Sequence, residues 1–253
     1  MATLSSKRRM ILAAGLTLAL PAHAFDWNEM LKGVISKPAS QPAASSVDAL
    51  SNADINAGLK EALTRGADAA VAQLGQKDGF FGNAALKIPL PPSLQKAEKA
   101  MRMFGMGKQA DDLVLSMNRA AEAAVPEAKT LLVDAVKEMS LEDAKGILTG
   151  GKTSATDFFR KKTETKLTER FGPIVKANTD KVGLAQQYNQ YAGAAAQFNL
   201  IDKKQASVEQ YVTQQALDRL YTLIGEKEAA IRANPMQAGS DLLKKVFGAV
   251  SGK

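Results

Sequence analysis

Residues 51–75 read SNADINAGLKEALTRGADAAVAQLG. Apolar side chains recur along this stretch at intervals that place them on one face of an α-helix. They are Ile55, Leu59, Leu63, Val71 and Leu74. Ser51 is a suitable N-cap, and Gly75 is suited to end the helix. The spacing therefore predicts an amphipathic helix that buries one face in a core.

The same period continues through most of the chain. Ser140 with Asp143, and Ser207 with Gln210, have the spacing of capping boxes that open helices. Further helices are predicted over 93–105, 108–125, 126–139, 140–150, 153–171, 181–198, 208–233 and 240–250, with Pro173 interrupting the one that starts at 153. Strand-like alternation nowhere extends beyond a few residues. The predicted fold is all-α, an irregular multi-helix bundle forming one domain over 47–250.

One long stretch between the first two helices is irregular. Residues 76–92 contain Phe80-Phe81-Gly82 and the run Ile88-Pro89-Leu90-Pro91-Pro92, and the prolines exclude a helix and favour extended backbone. A loop of this length is either packed onto the domain or functional.

The N-terminus has the layout of a secretory signal peptide over residues 1–24. Lys7, Arg8 and Arg9 precede the apolar run 10–20, which is too short to span a bilayer, and Ala22-His23-Ala24 provides a small-residue cleavage site. We expect cleavage after Ala24 and export to the periplasm. Residues 25–35 form a short amphipathic segment, and residues 36–46 form a linker rich in Pro, Ser and Ala.

Composition limits the chemistry of the mature chain. Cleavage removes the only histidine, His23, and the sequence contains no cysteine. The net charge of +7 includes three signal-peptide cations, so the mature chain carries +7 − 3 = +4. No cofactor, metal or nucleic acid is expected. The expected partner is an envelope protein or polymer, with weak contact to a membrane surface as a further option; the sequence leaves the oligomeric state open.

Two sequence patterns are associated with known chemistry, but the surrounding residues argue against that chemistry in each case. Gly146 to Thr153, GILTGGKT, satisfies the P-loop pattern, but a P-loop follows a strand and the residues before it predict a helix. The acidic pairs Asp111-Asp112, Glu142-Asp143 and Glu226/Glu228 lack metal-binding spacing and are interpreted as solvated helix faces.

Three local clusters are candidate ligand sites. Asp157 and Arg160 are spaced to pair on a helix, with Phe158 and Phe159 between them, and form either an anion clamp or an ion pair beside core aromatics. Gln187, Tyr188 and Tyr191 form either a cleft wall or a packed helix face. Asn118, Arg119 and Glu122 form either a buried network or a site.

Several segments resemble a family of exported bacterial proteins catalogued as a domain of unknown function, number 4197. They are LKIPLPPSLQKAEK from Leu86, MNRAAEAAVPEAK from Met117, DAKGILTGG from Asp143, ATDFFR from Ala155, DKVGLAQQYNQYAG from Asp180 and the stretch from Tyr211 to Pro235. The resemblance covers residues 47–249. It implies an exported helical domain and brings no activity, cofactor or catalytic residue.

Three functional hypotheses follow. The first is a non-catalytic envelope protein that binds a partner through the 76–92 loop and the Tyr188/Tyr191 face. The second is a hydrolase or lyase that acts on an envelope polymer through carboxylates, with Asp157 and Glu122 as participants. The third is a peripheral membrane binder that uses residues 25–46 and the basic amphipathic tail at 240–253.

Overall fold

A computed structural model describes residues 51–197, 202–234 and Val246. The predicted signal peptide, the short amphipathic segment and the linker lie outside the described residues. So does the predicted tail helix apart from Val246, which is helical and buried.

The described chain is helical, and no strand occurs in residues 51–197 or 202–234. The helices are α1 (Asn52–Gly75), α2 (Pro92–Met103), α3 (Gly107–Ala124), α4 (Ala128–Lys137), α5 (Leu141–Thr149), α6 (Ser154–Thr179), α7 (Gly183–Gln197) and α8 (Val208–Ala233). Short 3-10 turns at Val125–Glu127 and Lys203–Gln205 precede α4 and α8. All eight belong to one compact unit, which confirms the predicted all-α class.

The predicted helix starts are confirmed where serine caps them. The hydroxyls of Ser51, Ser140 and Ser207 each accept the backbone N–H three residues later, and Asp143 completes the capping box by binding the Ser140 backbone. Each cap satisfies a donor that the first helical turn leaves without a partner.

The predicted break at Pro173 is wrong, because α6 continues through it to Thr179. Pro173 lies on the exposed side of α6, whereas Phe171 and Val175 on either side of it are fully buried. Gly172 has no Cβ to meet the proline ring, so the residue before Pro173 keeps helical backbone at little cost. Burial of the flanking side chains outweighs the lost hydrogen bond.

The core is organised around α6, which packs along both α3 and α8. Contacts with α8 run from Thr156–Glu228 to Thr163–Tyr221, so the two helices are antiparallel. The fully buried side chains of α6 are Phe159, Leu167, Phe171 and Val175. The central pair of helices therefore forms the groove that contains Asp157 and Arg160, described below.

Tyr221 marks the centre of this helix pair and gives a pH-dependent prediction. Its hydroxyl donates to Thr163 Oγ1 at 2.9 Å, because Thr163 donates its own proton to the Phe159 carbonyl. Burial raises the pKa of Tyr221 to about 12.

A tyrosine in an unfolded chain titrates at about pH 10. Above this pH the unfolded chain loses the Tyr221 hydroxyl proton, which the folded chain keeps. Stability should therefore fall between about pH 10 and pH 12, and Tyr221 should contribute on the order of 2 kcal/mol of that fall. Urea unfolding across this range should show a shallower pH dependence for Tyr221→Phe than for wild type. Parallel curves would contradict the assignment.

Candidate functional site

The irregular stretch from residue 76 to 92 is fastened to the domain by a buried carboxylate on α3. Glu122 Oε1 accepts the backbone N–H groups of Phe80 and Phe81 at 3.1 and 3.2 Å, and Oε2 accepts from Arg119 at 2.5 Å. Arg119 also binds Asp78 at 2.7 Å. A carboxylate with two backbone donors and a guanidinium is a satisfied buried charge.

A second polar side chain of α3 holds the far half of this loop. Asn118 is fully buried, and its side-chain amide pairs with the backbone of Ile88 by donating to the carbonyl at 2.9 Å and accepting the N–H at 2.8 Å. From α8, Arg219 donates to the Lys87 carbonyl at 3.0 Å. Of the two interpretations of Asn118, Arg119 and Glu122, the geometry is that of the buried network.

The two loop aromatics are packed against the domain. Phe80 is fully buried, and Phe81 is half-buried with the Lys87 ammonium 4.2 Å from its ring centroid. The loop is therefore a fixed part of the fold, which leaves little aromatic surface on it for a partner.

A second buried carboxylate, Glu228 on α8, fixes the start of α6. It accepts the backbone N–H groups of Ala155 and Thr156, each at 3.0 Å, as well as the Thr156 hydroxyl. Arg232 pairs with Glu228 at 2.9 Å and donates to the Ile147 carbonyl at 2.7 Å. The negative charge sits at the helix N-terminus, where the helix dipole stabilises it.

The interpretation of Glu226/Glu228 as a solvated pair is thus wrong for Glu228, which is 8% exposed. The sequence did contain a signal for its burial. Glu228 lies four residues after Ile224 and seven after Tyr221, on the same stripe of α8. Arg232, one turn later, is the partner that such a buried carboxylate needs.

The P-loop pattern at 146–153 has no phosphate-binding geometry. The residues before it form helix α5, as the sequence predicts, where a P-loop would need a strand. The first amides of α6 already bind Glu228. The chain's own carboxylate thus occupies the position that an anion would take.

The expected ion pair between Asp157 and Arg160 is not formed. Arg160 pairs instead with Glu164 at 3.2 Å and with Asp218 at 3.1 Å, and it lies 4.5 Å from the ring centroid of Tyr221. Asp157 accepts the Thr153 hydroxyl at 3.1 Å. Partners on α8 and one turn along α6 hold Arg160 better than a neighbour three residues earlier.

Asp157 and Arg160 line a shallow groove of about 440 Å³ between α6 and α8. The third predicted residue of this cluster, Phe159, is fully buried in the core and meets the Phe158 ring edge-on. It cannot offer a stacking face to a ligand.

The two tyrosines of α7 have different environments. Tyr188 is buried and donates its hydroxyl to the Gln205 carbonyl at 2.7 Å, and burial raises its pKa, whereas a hydrogen bond with Ser93 opposes that shift. Tyr191 is 74% exposed. Both still line one groove of about 300 Å³ between α7 and the start of α2, together with Gln187.

A neighbouring groove extends this surface along α7. It has a volume of about 480 Å³ and shares Leu184 and Gln187 with the first groove, and Met106 at the start of α3 lies on its other side. The turn before Met106 exposes two large apolar side chains, Met103 at 78% and Phe104 at 82%. We call the surface formed by Leu184, Gln187 and Tyr191, together with the 103–106 turn that reaches the second groove through Met106, the α7 face.

Other site chemistry is limited in the described part of the chain. The groove with Asp157 and Arg160 and the groove with Tyr188 and Tyr191 share no lining residue. Among the described side chains, no three acidic, histidine or cysteine groups are placed to hold one metal ion. No helix within residues 51–197 or 202–234 is long and apolar enough to cross a membrane.

These features define a class of protein: an all-helical domain in which, among the described residues, the buried glutamates bind the chain's own backbone and the exposed aromatic side chains lie on α7 and the α2–α3 turn. The chain belongs to the family described as protein of unknown function (DUF4197), whose family model matches residues 49–248. The resemblance seen in the sequence is thus confirmed. Comparison with curated proteins and with solved structures finds no match.

Proposed function

We propose that this protein is a non-catalytic binding protein of the cell envelope and that the α7 face binds a segment of a partner protein. The signal-peptide pattern over residues 1–24 supports the compartment. The 76–92 loop is bound to α3 and α8 and is not part of the proposed contact surface.

The observation that carries the proposal is the exposure of Met103, Phe104 and Tyr191, each more than 70% exposed. Among the described residues, the remaining large hydrophobic side chain with substantial exposure is Leu115, at 38%. Met103 and Phe104 are adjacent in the chain, and aromatic residues and methionine are enriched at protein interfaces.

The two grooves, one lined by Tyr191 and the other by Met106, suit a peptide segment. Leu184 and Ala192 give an apolar floor, and the exposed Gln187 offers an amide donor and acceptor for peptide groups. Tyr191 adds a large, rigid contact surface with a polar tip. This mixture favours a polypeptide over a purely apolar or purely anionic ligand.

The other two hypotheses have less support. A carboxylate mechanism needs acids that are free to exchange protons, and both oxygens of Glu122 are engaged by Phe80, Phe81 and Arg119. The hypothesis of peripheral membrane binding through residues 25–46 and 240–253 is supported by the amphipathic sequence pattern of these segments alone.

Replacement of Tyr191 and Phe104 by serine tests the proposal. Both side chains are exposed, so the double variant should unfold within about 0.5 kcal/mol of wild type. If they anchor the partner, retention of envelope proteins on the immobilised variant should fall about tenfold or more. Quantitative mass spectrometry of the retained proteins measures this change.

The matched control is Leu115→Ser, which removes an apolar side chain that is 38% exposed and lines neither groove. It should retain the same proteins as wild type at a cost of about 1 kcal/mol or less in stability. Equal retention of envelope proteins by wild type and by the Tyr191/Phe104 variant would contradict a role for the α7 face in binding.

A further inference from the structure

Three lysines lie in or beside the α7 face without an acidic partner. Lys181 lies two residues before α7 and lines the same groove as Met106. Lys96 lies on α2 one turn after Ser93, which lines the other groove, and Lys99 lies a further turn along. All three lysines are exposed, and among the described residues none of them forms an ion pair. This surface therefore has positive charge available for a partner.

The acidic side chains of the same surface, by contrast, already have cationic partners. The four acids on α2, in the first two turns of α3 and directly before α7 each form an ion pair, with N–O distances of 2.6 or 2.7 Å. The pairs are Arg102 with Glu98 and with Asp111, Lys108 with Asp112, and Lys176 with Asp180. The helix α7 itself contains no charged residue. Charge complementarity therefore favours an acidic partner over a basic one.

The lysines on α2 share one side of the helix with an exposed apolar side chain. Lys96, Lys99 and Met103 have the i, i+3, i+7 spacing that places side chains on one helix face. Met103 is 78% exposed, and Phe104 follows it at 82%. Apolar side chains in an interface are commonly surrounded by a polar rim, where charged groups guide the partner into place. The arrangement thus matches a segment that carries both carboxylates and apolar side chains.

The shape of the surface favours a polypeptide over a lipid membrane as the source of negative charge. Lys181 lines a groove of about 480 Å³, and Lys96 lies beside one of about 300 Å³. The two grooves share Leu184 and Gln187, so an extended chain can follow both. A bilayer surface is too broad to enter either groove. Gln187 in the shared wall also provides a donor and an acceptor for peptide groups.

We propose that the α7 face binds an acidic segment of its partner protein. Lys96, Lys99 and Lys181 attract the carboxylates of this segment, and the exposed apolar side chains of the face contact its apolar residues. This inference rests on the function proposed for the α7 face and adds the chemical class of the bound segment. Affinity should depend on ionic strength, because salt screens exposed charges.

Selection of random peptides displayed on phage against the full chain tests the proposal. Peptides retained by wild type should be enriched in aspartate and glutamate and should contain an aromatic or aliphatic residue. The enrichment in acids should disappear on the three-lysine variant, in which Lys96, Lys99 and Lys181 are replaced by glutamine. Retention itself should be lost on the variant in which Tyr191 and Phe104 are replaced by serine.

The results for these two variants separate this inference from the function proposed for the α7 face. Peptides that need Tyr191 and Phe104 but show no excess of acids would overturn the acidic segment and leave the α7 face as a binding surface. Peptides that need neither side chain would overturn both, as would the failure of wild type to retain any peptide.

The contribution of the lysines is measured by fluorescence anisotropy and stopped-flow kinetics with one selected acidic peptide at low ionic strength. The three-lysine variant should bind about 5- to 20-fold more weakly, mainly through slower association. The matched control replaces Lys145, Lys152 and Lys166 by glutamine, which removes the same charge from exposed positions that line neither groove. It should change the affinity less than about 2-fold. Equal losses in both variants would indicate non-specific attraction and overturn the proposal.

Vesicles of phosphatidylglycerol test whether the same lysines bind a membrane surface instead. Sedimentation of the chain with these vesicles should be the same for wild type and for the three-lysine variant. Sedimentation that falls in the three-lysine variant and not in the matched control would assign the lysines to a lipid surface and overturn the proposal.

Discussion

Replacement of Glu228 by alanine should destabilise the domain by about 3–5 kcal/mol, because it removes the carboxylate that pairs with the partly buried Arg232 guanidinium and accepts from two helix-start amides. Arg232 has 17% of its side chain exposed and pairs with Glu228. The N–H groups of Ala155 and Thr156 lose the carboxylate at the same time. A loss of this size is a large part of the 5–15 kcal/mol typical of a domain.

Urea unfolding followed by circular dichroism measures this loss. The matched control is Glu226→Ala, two residues earlier on α8 and exposed, which should change stability by less than about 0.5 kcal/mol. Glu228→Gln keeps an acceptor for one amide and should lose less than the alanine variant. Similar small losses for Glu226→Ala and Glu228→Ala would contradict the structural role of Glu228.

Replacement of Glu122 by alanine should cost about 2–4 kcal/mol and loosen the 76–92 loop. The expected loss is smaller than for Glu228 because the Arg119 side chain is more exposed than that of Arg232, at 31% against 17%, and keeps the Asp78 carboxylate as a partner. Since Glu122 is the acceptor for the Phe80 and Phe81 amides, their hydrogen exchange should accelerate more than that of amides in α6.

The control for Glu122 is Asp112→Ala, on the exposed side of the same helix, where Lys108 is its partner. Its cost should be within about 1 kcal/mol, as for other exposed ion pairs. The result also separates structure from catalysis, since removing a catalytic acid commonly leaves stability unchanged or raises it. A Glu122→Ala protein as stable as wild type would favour the carboxylate mechanism.

The helical architecture could be predicted because local signals and burial agree along most of the chain. Ser51, Ser140 and Ser207 mark helix starts by chemistry that acts within one turn. Pro173 is the exception. The rule that proline breaks a helix considers only neighbouring residues, whereas Phe171 and Val175 are buried in a core formed by distant parts of the chain. Tertiary burial decides such positions.

The candidate sites could be predicted less well, because their contacts join distant parts of the chain. Glu228 binds residues 72 and 73 positions away, and Arg160 finds Asp218 58 positions away. Spacing on one helix cannot reveal such partners. The spacing of Tyr188 and Tyr191 correctly predicts that they share one side of a helix, and both line one groove. The burial of each tyrosine depends instead on Gln205 and α2.

Site-specific photo-crosslinking tests the central claim, that the α7 face contacts a partner protein, most directly. A photoreactive phenylalanine replaces Tyr191 in the cells that make the protein, and an identical substitution at the exposed Glu138, directly after α4, serves as the control. We expect a crosslinked adduct of defined mass from position 191, absent from position 138 and lost when Phe104→Ser is added. The absence of an adduct at 191, or the same adducts from both positions, would contradict the account.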